Sequence, residues 1–411
     1  MELGINAGNI LKIEGSKSII NRVLIIASIL NKPLRIYNYS SCEDIKTMQA
    51  NLTAMGIDFK MNYNFVDLLS SQPPKNNLKL HVHDSATSFR FLLARMAAWS
   101  GVKSTITISP QLQQRPHKPL VDILNKIGAD VKQIDDRYKI SGCKLSGGVL
   151  DVDASISSQF ISALLLISPL MLDDLILNLK GSNASNGYIE MTISIMEQFG
   201  VEVKYDNKRI YVAAGQKYKV IDTYNVETDF SSSCYFWALG ALSKKGVNTN
   251  YLSVSMQPDH KFIDLLRLMG ADIQIEDSKI SVKKNKLSGI SVDMSNMPDQ
   301  VPTLAVLAIF ADSSTTINNI AHLKHKESNR LKAIKDEFTK LGVEVELTRN
   351  SLQINPCKNI NKNVTLKTYN DHRLVMAFSI LEKIIPTISL QSVAAVKKSN
   401  PHFFKMLNLI S

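Results

Sequence analysis

Four short segments carry side chains able to bind or move charge. The first is Gly15-Ser16-Lys17-Ser18, with Asn21 and Arg22, running into the apolar stretch Val23 to Leu30. Gly-Ser ahead of a helix leaves backbone amides and a hydroxyl where the helix dipole attracts anions. Lys17 and Arg22 add full charges, and a helix would bring Ser18 and Arg22, four apart, onto one face. The earlier glycine of a nucleotide-binding P-loop is missing. A capped helix with surface bases remains the plainer reading. The second segment is Ser155-Ile156-Ser157-Ser158-Gln159, between the strand Val149 to Val152 and the apolar helix Ile161 to Ile167. One hydroxyl suffices to cap a helix, so the surplus of hydroxyl and amide groups points to a bound phosphate.

The third segment, Lys324 to Arg330, reads Lys-His-Lys-Glu-Ser-Asn-Arg, with five of seven positions able to carry charge. Either it is a solvated helix face, or Glu327 among cations is a tuned proton carrier and Arg330 grips an anion bidentately. The fourth, Thr368 to Arg373, sets Asp371, His372 and Arg373 at the start of the helix Leu374 to Leu381. An acid, a titratable base and a permanent cation there fit either a charged helix cap or an anion site. No second His lies at ligand spacing, so a metal is not expected.

The elements that position these residues recur. A helical run ends in Gly and leads to a strand with an acidic second residue at Gly56, Gly128, Gly200, Gly270 and Gly342, separated by 72, 72, 70 and 72 residues. Each Gly suits a backbone that leaves a helix with positive φ. A sixth helical run, Phe403 to Leu407, stands where the next unit is due. The spacing predicts six small α/β subdomains, three per domain, and not an eight-fold barrel. The segment Tyr218 to Glu227 joins the third unit to the fourth. The expected division is residues 14–226 against residues 1–13 with 227–411, with crossings near 13–14 and 226–227.

Bulk properties narrow the class. At 411 residues two domains are expected. Apolar runs such as Phe160 to Leu172 are broken by Ser and Pro and are too short for a membrane span. The start Met1-Glu2-Leu3-Gly4 shows no secretory signal, so a cytoplasmic location is expected. Four dispersed cysteines (Cys42, Cys143, Cys234, Cys357) form no Cys-x-x-Cys pair, as for inert thiols in a reducing compartment. The net charge of +11 comes from scattered basic residues without RNA-binding aromatic signatures. Most of that excess is read as solvated surface, and the rest is able to line an anion-binding cleft.

Taken together, these segments resemble the 5-enolpyruvylshikimate-3-phosphate (EPSP) synthases, from about Leu11 to Phe404. The stretches that carry the resemblance are Gly-Ser-Lys-Ser with Asn-Arg at 15–22, Gln-Arg-Pro at 114–116, Asp-Val-Asp to Ser-Ser-Gln-Phe at 151–160, Lys-Glu-Ser to Arg at 326–330, and Tyr-Asn-Asp-His-Arg at 369–373. The resemblance implies an α/β enolpyruvyl transferase fold of two domains, each of three βαβαββ units, closing on substrate. It implies transfer of enolpyruvyl from phosphoenolpyruvate to shikimate 3-phosphate through a tetrahedral adduct, by a monomer without cofactor or metal. By the same resemblance Asp299, Glu327 and Lys17 are catalytic. Shikimate 3-phosphate falls to Lys17, Ser18, Arg22, Ser157, Ser158, Gln159, Ser185, Tyr188, Asp299 and Lys326. Phosphoenolpyruvate falls to Lys17, Ala86, Thr87, Arg115, Gln159, Arg330, His372, Arg373 and Lys398.

Several positions depart from the family pattern. Glu14 stands where Pro is usual, and Gly187 replaces a Pro just before Tyr188. Asn-Ala-Gly-Thr becomes Asp84-Ser85-Ala86-Thr87, and His322 stands where many members have Asn. The Ala86 methyl, in place of hydrogen, implies reduced sensitivity to glyphosate. The sister enzymes that act on UDP-N-acetylglucosamine carry an Ala-Asn pair and a catalytic Cys before an Arg-Pro. Here Ser104 to Pro116 contains no Cys. A non-catalytic anion-binding protein on the same scaffold would have no need of Asp299 and Glu327.

Overall fold

The structure is a computed structural model that describes residues 10–69, 76–181 and 185–410. The chain forms two compact units. One runs from Gly15 to Val226, and the other joins the segment ending at Glu14 to everything from Glu227 onward.

In the unit Gly15–Val226 three four-stranded sheets share one plan. In the clearest, Leu78–Val82 lies parallel to Lys103–Ile108, which pairs antiparallel with Arg137–Ser141, and Asp130–Ile134 closes the edge. With the helices Ala86–Ala97 and Lys118–Lys126 between strands, this is the βαβαββ unit that the repeat predicts. A second sheet completes itself across the chain, since Thr223–Asn225 lies parallel to Leu34–Tyr37.

The other unit repeats the plan twice. Its first sheet takes Ile10–Leu11 as the parallel edge beside Val247–Asn250. Its second runs Ser291–Asp293, Thr315–Asn318, Ser351–Ile354 and Val345–Leu347. The sixth repeat departs from the expectation: Thr365–Leu366 and Ser389–Leu390 form only a two-stranded parallel sheet. The chain then passes through the short turn Ala394–Lys398 into the helix Phe403–Asn408.

The five repeat glycines have φ between 78° and 108°, as the turn from helix to strand requires. After Gly200 the expected strand starts late, at Lys204. Gly15 is needed for a different reason. A β-carbon there would lie 1.8 Å from the Asn38 carbonyl oxygen, so any other residue would push the two segments apart.

Each unit is centred on three largely apolar helices buried on nearly every side, a pattern that stays folded only when surrounded. In one unit these are Lys17–Leu30, Ala86–Ala97 and Ser158–Ile167. In the other they are Phe230–Leu242 and Val301–Ile309, buried along their whole length, and His372–Ile384, buried through Leu381. Burying each Leu, Ile or Phe contributes roughly 1.5–3 kcal/mol, so these helices are the most rigid supports available. Three of the segments singled out above sit at the N-terminal ends of these helices, and the fourth, Lys324 to Arg330, opens the helix Arg330–Lys340.

Candidate active site

In the unit Gly15–Val226, Lys17 opens its helix and its Nζ lies 2.7 Å from Asp44 Oδ2. Arg22, one turn on, is buried. Its Nε donates to Thr192 Oγ1 at 2.7 Å, and its Nη2 to Ser162 Oγ and the Tyr188 carbonyl. Arg22 and Ser18 do share a face, but Nη1 takes the Ser18 carbonyl at 2.8 Å instead of the hydroxyl. Burial draws the Arg22 guanidinium down to about 10.

Ser157 caps the helix Ser158–Ile167, accepting from Gln159 N–H at 3.3 Å. A residue that the sequence reading passed over organises this corner. Arg90, 1% exposed, donates to Ser157 Oγ at 3.0 Å, to Gln159 Oε1 at 2.7 Å and to the Pro116 carbonyl at 2.9 Å. Gln159 Nε2 passes the chain on to Thr87 Oγ1 at 2.9 Å. One guanidinium thus ties together the Gln-Arg-Pro loop that bears Arg115, the serine segment and the helix opened by Ala86 and Thr87. The available signal was an arginine inside an apolar helix, since such a charge stays buried only with partners.

Asp84, the unfamiliar carboxylate, accepts a hydrogen bond from Ser109 Oγ. Ser109 caps the short helix leading to Arg115, so Asp84 anchors that loop. Ser185, buried, adopts φ of 64° ahead of the helix Asn186–Gln198, and its carbonyl accepts from Tyr188 N–H. Ser158 and Ala86 are likewise buried at their helix starts.

The other unit gathers the carboxylates. Asp299 Oδ1 accepts from Arg330 Nη1 and Oδ2 from Arg373 Nη2, each at 2.9 Å. Burial pushes this carboxyl up, but Arg373, Arg330 and Lys326 together hold it well below its ordinary value. Glu327 lies between two cations, with Oε2 3.0 Å from Arg330 Nη2 and Oε1 2.9 Å from Lys398 Nζ. The solvated-helix reading of Lys324 to Arg330 therefore fails: Arg330 is 1% exposed and opens the helix Arg330–Lys340.

Asp371 both caps its helix, accepting from Arg373 N–H at 2.9 Å, and holds Arg330. His372 is buried beside it. Arg373 also reaches Tyr235 OH at 3.3 Å, a partner 138 residues away that no local pattern announces. His322, where Asn is more usual, is buried, and burial, followed by the Lys326 charge, draws it down to about 3.

Two clusters result. One holds carboxylates among cations, suited to moving protons and stabilising anions. The other offers hydroxyl, amide and cationic donors, suited to phosphate and carboxylate. Among the described residues no group of three or more His, Cys, Asp or Glu side chains is placed to hold a metal ion. Nor is any described helix long and apolar enough to cross a membrane.

The architecture is that of the enolpyruvyl transferases. An EPSP synthase from Acinetobacter baumannii matches with a TM-score of 0.80 at 21% identity, covering 97% of this chain and 94% of that one. The enolpyruvyl transferase NikO from Streptomyces tendae matches at 0.79 and 14% identity with the same coverage. In sequence, the family model for EPSP synthase (3-phosphoshikimate 1-carboxyvinyltransferase) matches residues 6–407. A 3-phosphoshikimate 1-carboxyvinyltransferase from Colwellia psychrerythraea is 34% identical over 414 residues, 97% of this chain and 95% of its own length. The chain belongs to the EPSP synthase family.

Proposed function

We propose that the chain transfers the enolpyruvyl group of phosphoenolpyruvate to the 5-hydroxyl of shikimate 3-phosphate and releases phosphate. Family membership and the shared name of relatives 34% identical to it support this substrate pair. The observation that carries the chemistry is the Asp299 carboxylate, kept ionised by Arg330 and Arg373. Such a group can accept the hydroxyl proton as the oxygen attacks C2 of phosphoenolpyruvate. In the same addition the methylene carbon gains a proton, a role assigned to Glu327 and Lys17. The adduct then loses a proton from the new methyl group as its C–O bond to phosphate breaks, which restores the double bond. The lysines and arginines offset the negative charge that builds on the departing phosphate.

On this reading Lys17, Ser18, Arg22, Ser157, Ser158, Gln159, Ser185, Tyr188, Asp299 and Lys326 bind shikimate 3-phosphate. Lys17, Ala86, Thr87, Arg115, Gln159, Arg330, His372, Arg373 and Lys398 bind phosphoenolpyruvate. The chain acts as a cytoplasmic monomer on these small molecules, without nucleic acid.

The test is phosphate release by the purified protein given both substrates. Glu327→Gln is expected to slow turnover by roughly 10²–10⁴-fold while substrate binding is retained. Absence of phosphate release from the unsubstituted protein would sink the reading.

A further inference from the structure

We propose that Asp259 is a positioning residue for this reaction, acting through Gln300 and Ser231 to fix the Asp299 carboxylate; the inference rests on the role assigned to Asp299 above. Asp259 lies in the short helical turn Pro258–Lys261 and is 1% exposed. A carboxylate buried to that degree is costly unless its oxygens are hydrogen-bonded. Its Oδ2 accepts from Ser231 Oγ and, at 3.2 Å, from Gln300 Nε2.

Gln300, itself wholly buried, is determined at both ends of its amide. Nε2 also donates to the Ser231 carbonyl at 3.2 Å, and Oε1 accepts from Thr303 Oγ1 at 3.1 Å. Asp299 is the preceding residue, so its backbone cannot shift unless this amide shifts. The circuit closes on the far side. Asp299 accepts from Arg373, which donates to Tyr235 OH, and Tyr235 lies one turn beyond Ser231 on the helix Phe230–Leu242.

The circuit is electrostatic as well as mechanical. Burial, with the Asp299 charge next, pushes the Asp259 carboxyl up to about 6, while Arg373 and the bonds from Ser231 and Gln300 oppose the rise. Cys234 also lies against it: its Sγ donates to the Asp259 carbonyl, and the thiol feels Asp229 as well. His260, next in the chain, turns away to the Leu252 carbonyl. An ionised Asp259 repels the charge on Asp299, against the pull of Arg373 and Arg330 that holds Asp299 below its ordinary value. Protonation below pH about 6 removes that repulsion and turns an acceptor oxygen into a donor.

The experiment measures kcat and KM for the unsubstituted protein, Asp259→Asn and Gln300→Met from pH 5 to 8, with thermal melts alongside. Both variants should fold, with kcat lowered about ten- to a hundredfold and KM changed far less. Asp259→Asn should abolish an inflection near pH 6 in the kcat profile. Gln300→Met should move it upward, because a hydrogen bond to the ionised form is gone. Unsubstituted kcat in either variant, or a lowered kcat with an unchanged pH profile, would overturn the proposal. If Asp259→Asn does not fold, Gln300→Met decides alone. An inactive unsubstituted protein would instead refute the substrate reading.

Discussion

Arg330 Nε lies 2.8 Å from Asp371 Oδ2, with the arginine 1% and the aspartate 0% exposed. A second bond joins Arg330 Nη2 to Asp371 Oδ1 at 3.2 Å, and the Ser328 hydroxyl shares Oδ2 at 3.0 Å. From this anchor Arg330 reaches Asp299 and Glu327, so one guanidinium is braced by three carboxylates. Removing one partner of a buried pair costs about 3–5 kcal/mol. Without Asp371, Asp299 and Glu327 would still face Arg330, but its two bonds to Asp371 and the Asp371 helix cap would both be lost. Asp371→Ala is therefore expected to lose stability on that scale in denaturant unfolding. A loss under about 1 kcal/mol, typical of an exposed pair, would contradict the burial that makes the pair matter.

Arg90 gathers three segments through a planar fork that lysine cannot reproduce. In Arg90→Lys the ammonium keeps the charge but not all three bonds to Ser157, Gln159 and Pro116. The expected outcome is a folded protein with kcat/KM lowered about ten- to a hundredfold, read in the phosphate-release assay. Unchanged kinetics would mean that the three segments hold their places without it.

Ala86 is the first residue of the helix Ala86–Ala97 and is buried, with Thr87 bonded to Gln159 beside it. On the proposed assignment its methyl crowds an anion longer than phosphoenolpyruvate. Ala86→Gly should lower the glyphosate concentration needed for half-inhibition by roughly tenfold, the discrimination expected of one methyl-sized contact. No gain in sensitivity, with strong inhibition already present in the unsubstituted protein, would refute it.

His117 gives a pH dependence. Its Nε2 donates to the Leu112 carbonyl at 2.8 Å, while Nδ1 is buried with no hydrogen-bond partner, so a proton added there would find no acceptor. Burial, then the charges of Arg90 and Arg115, draw it down to about 3 from 6.5, against the Leu112 bond. The folded state thus binds fewer protons than the unfolded chain between these values. Stability is full above pH 6.5 and is lost as pH falls. By pH 5 the loss attributable to His117 is roughly 2 kcal/mol. His117→Phe keeps an aromatic ring against Phe89, whose centroid lies 4.6 Å away. The stability gap between His117→Phe and the unsubstituted protein should therefore shift by that amount, in favour of the variant, between pH 7 and pH 5. Equal slopes in denaturant unfolding would rule this out.

Features carried by near neighbours in the chain were legible in the sequence. The repeat glycines, the βαβαββ plan and the charged helix starts depend on periodicity and backbone conformation over a few residues, and those are set locally. The five complete sheets and the family were therefore readable. The sixth sheet was not readable in this way: among the described residues it has only the strands Thr365–Leu366 and Ser389–Leu390. The partners of the buried charges were not readable. Lys17 finds Asp44 across 27 residues, Arg90 finds Ser157 across 67, and Arg22 finds Thr192 across 170. Nothing near any of them in the chain names the partner. The partner is decided when the central helices pack against one another and against the helices Glu43–Ala54 and Asn186–Gln198, because a charge then cut off from water must be met by whichever group the packing presents. The sequence by itself determined that cations and carboxylates would stand at helix starts. Only the tertiary structure decided that Asp299 would lie between Arg330 and Arg373, and Glu327 between Arg330 and Lys398.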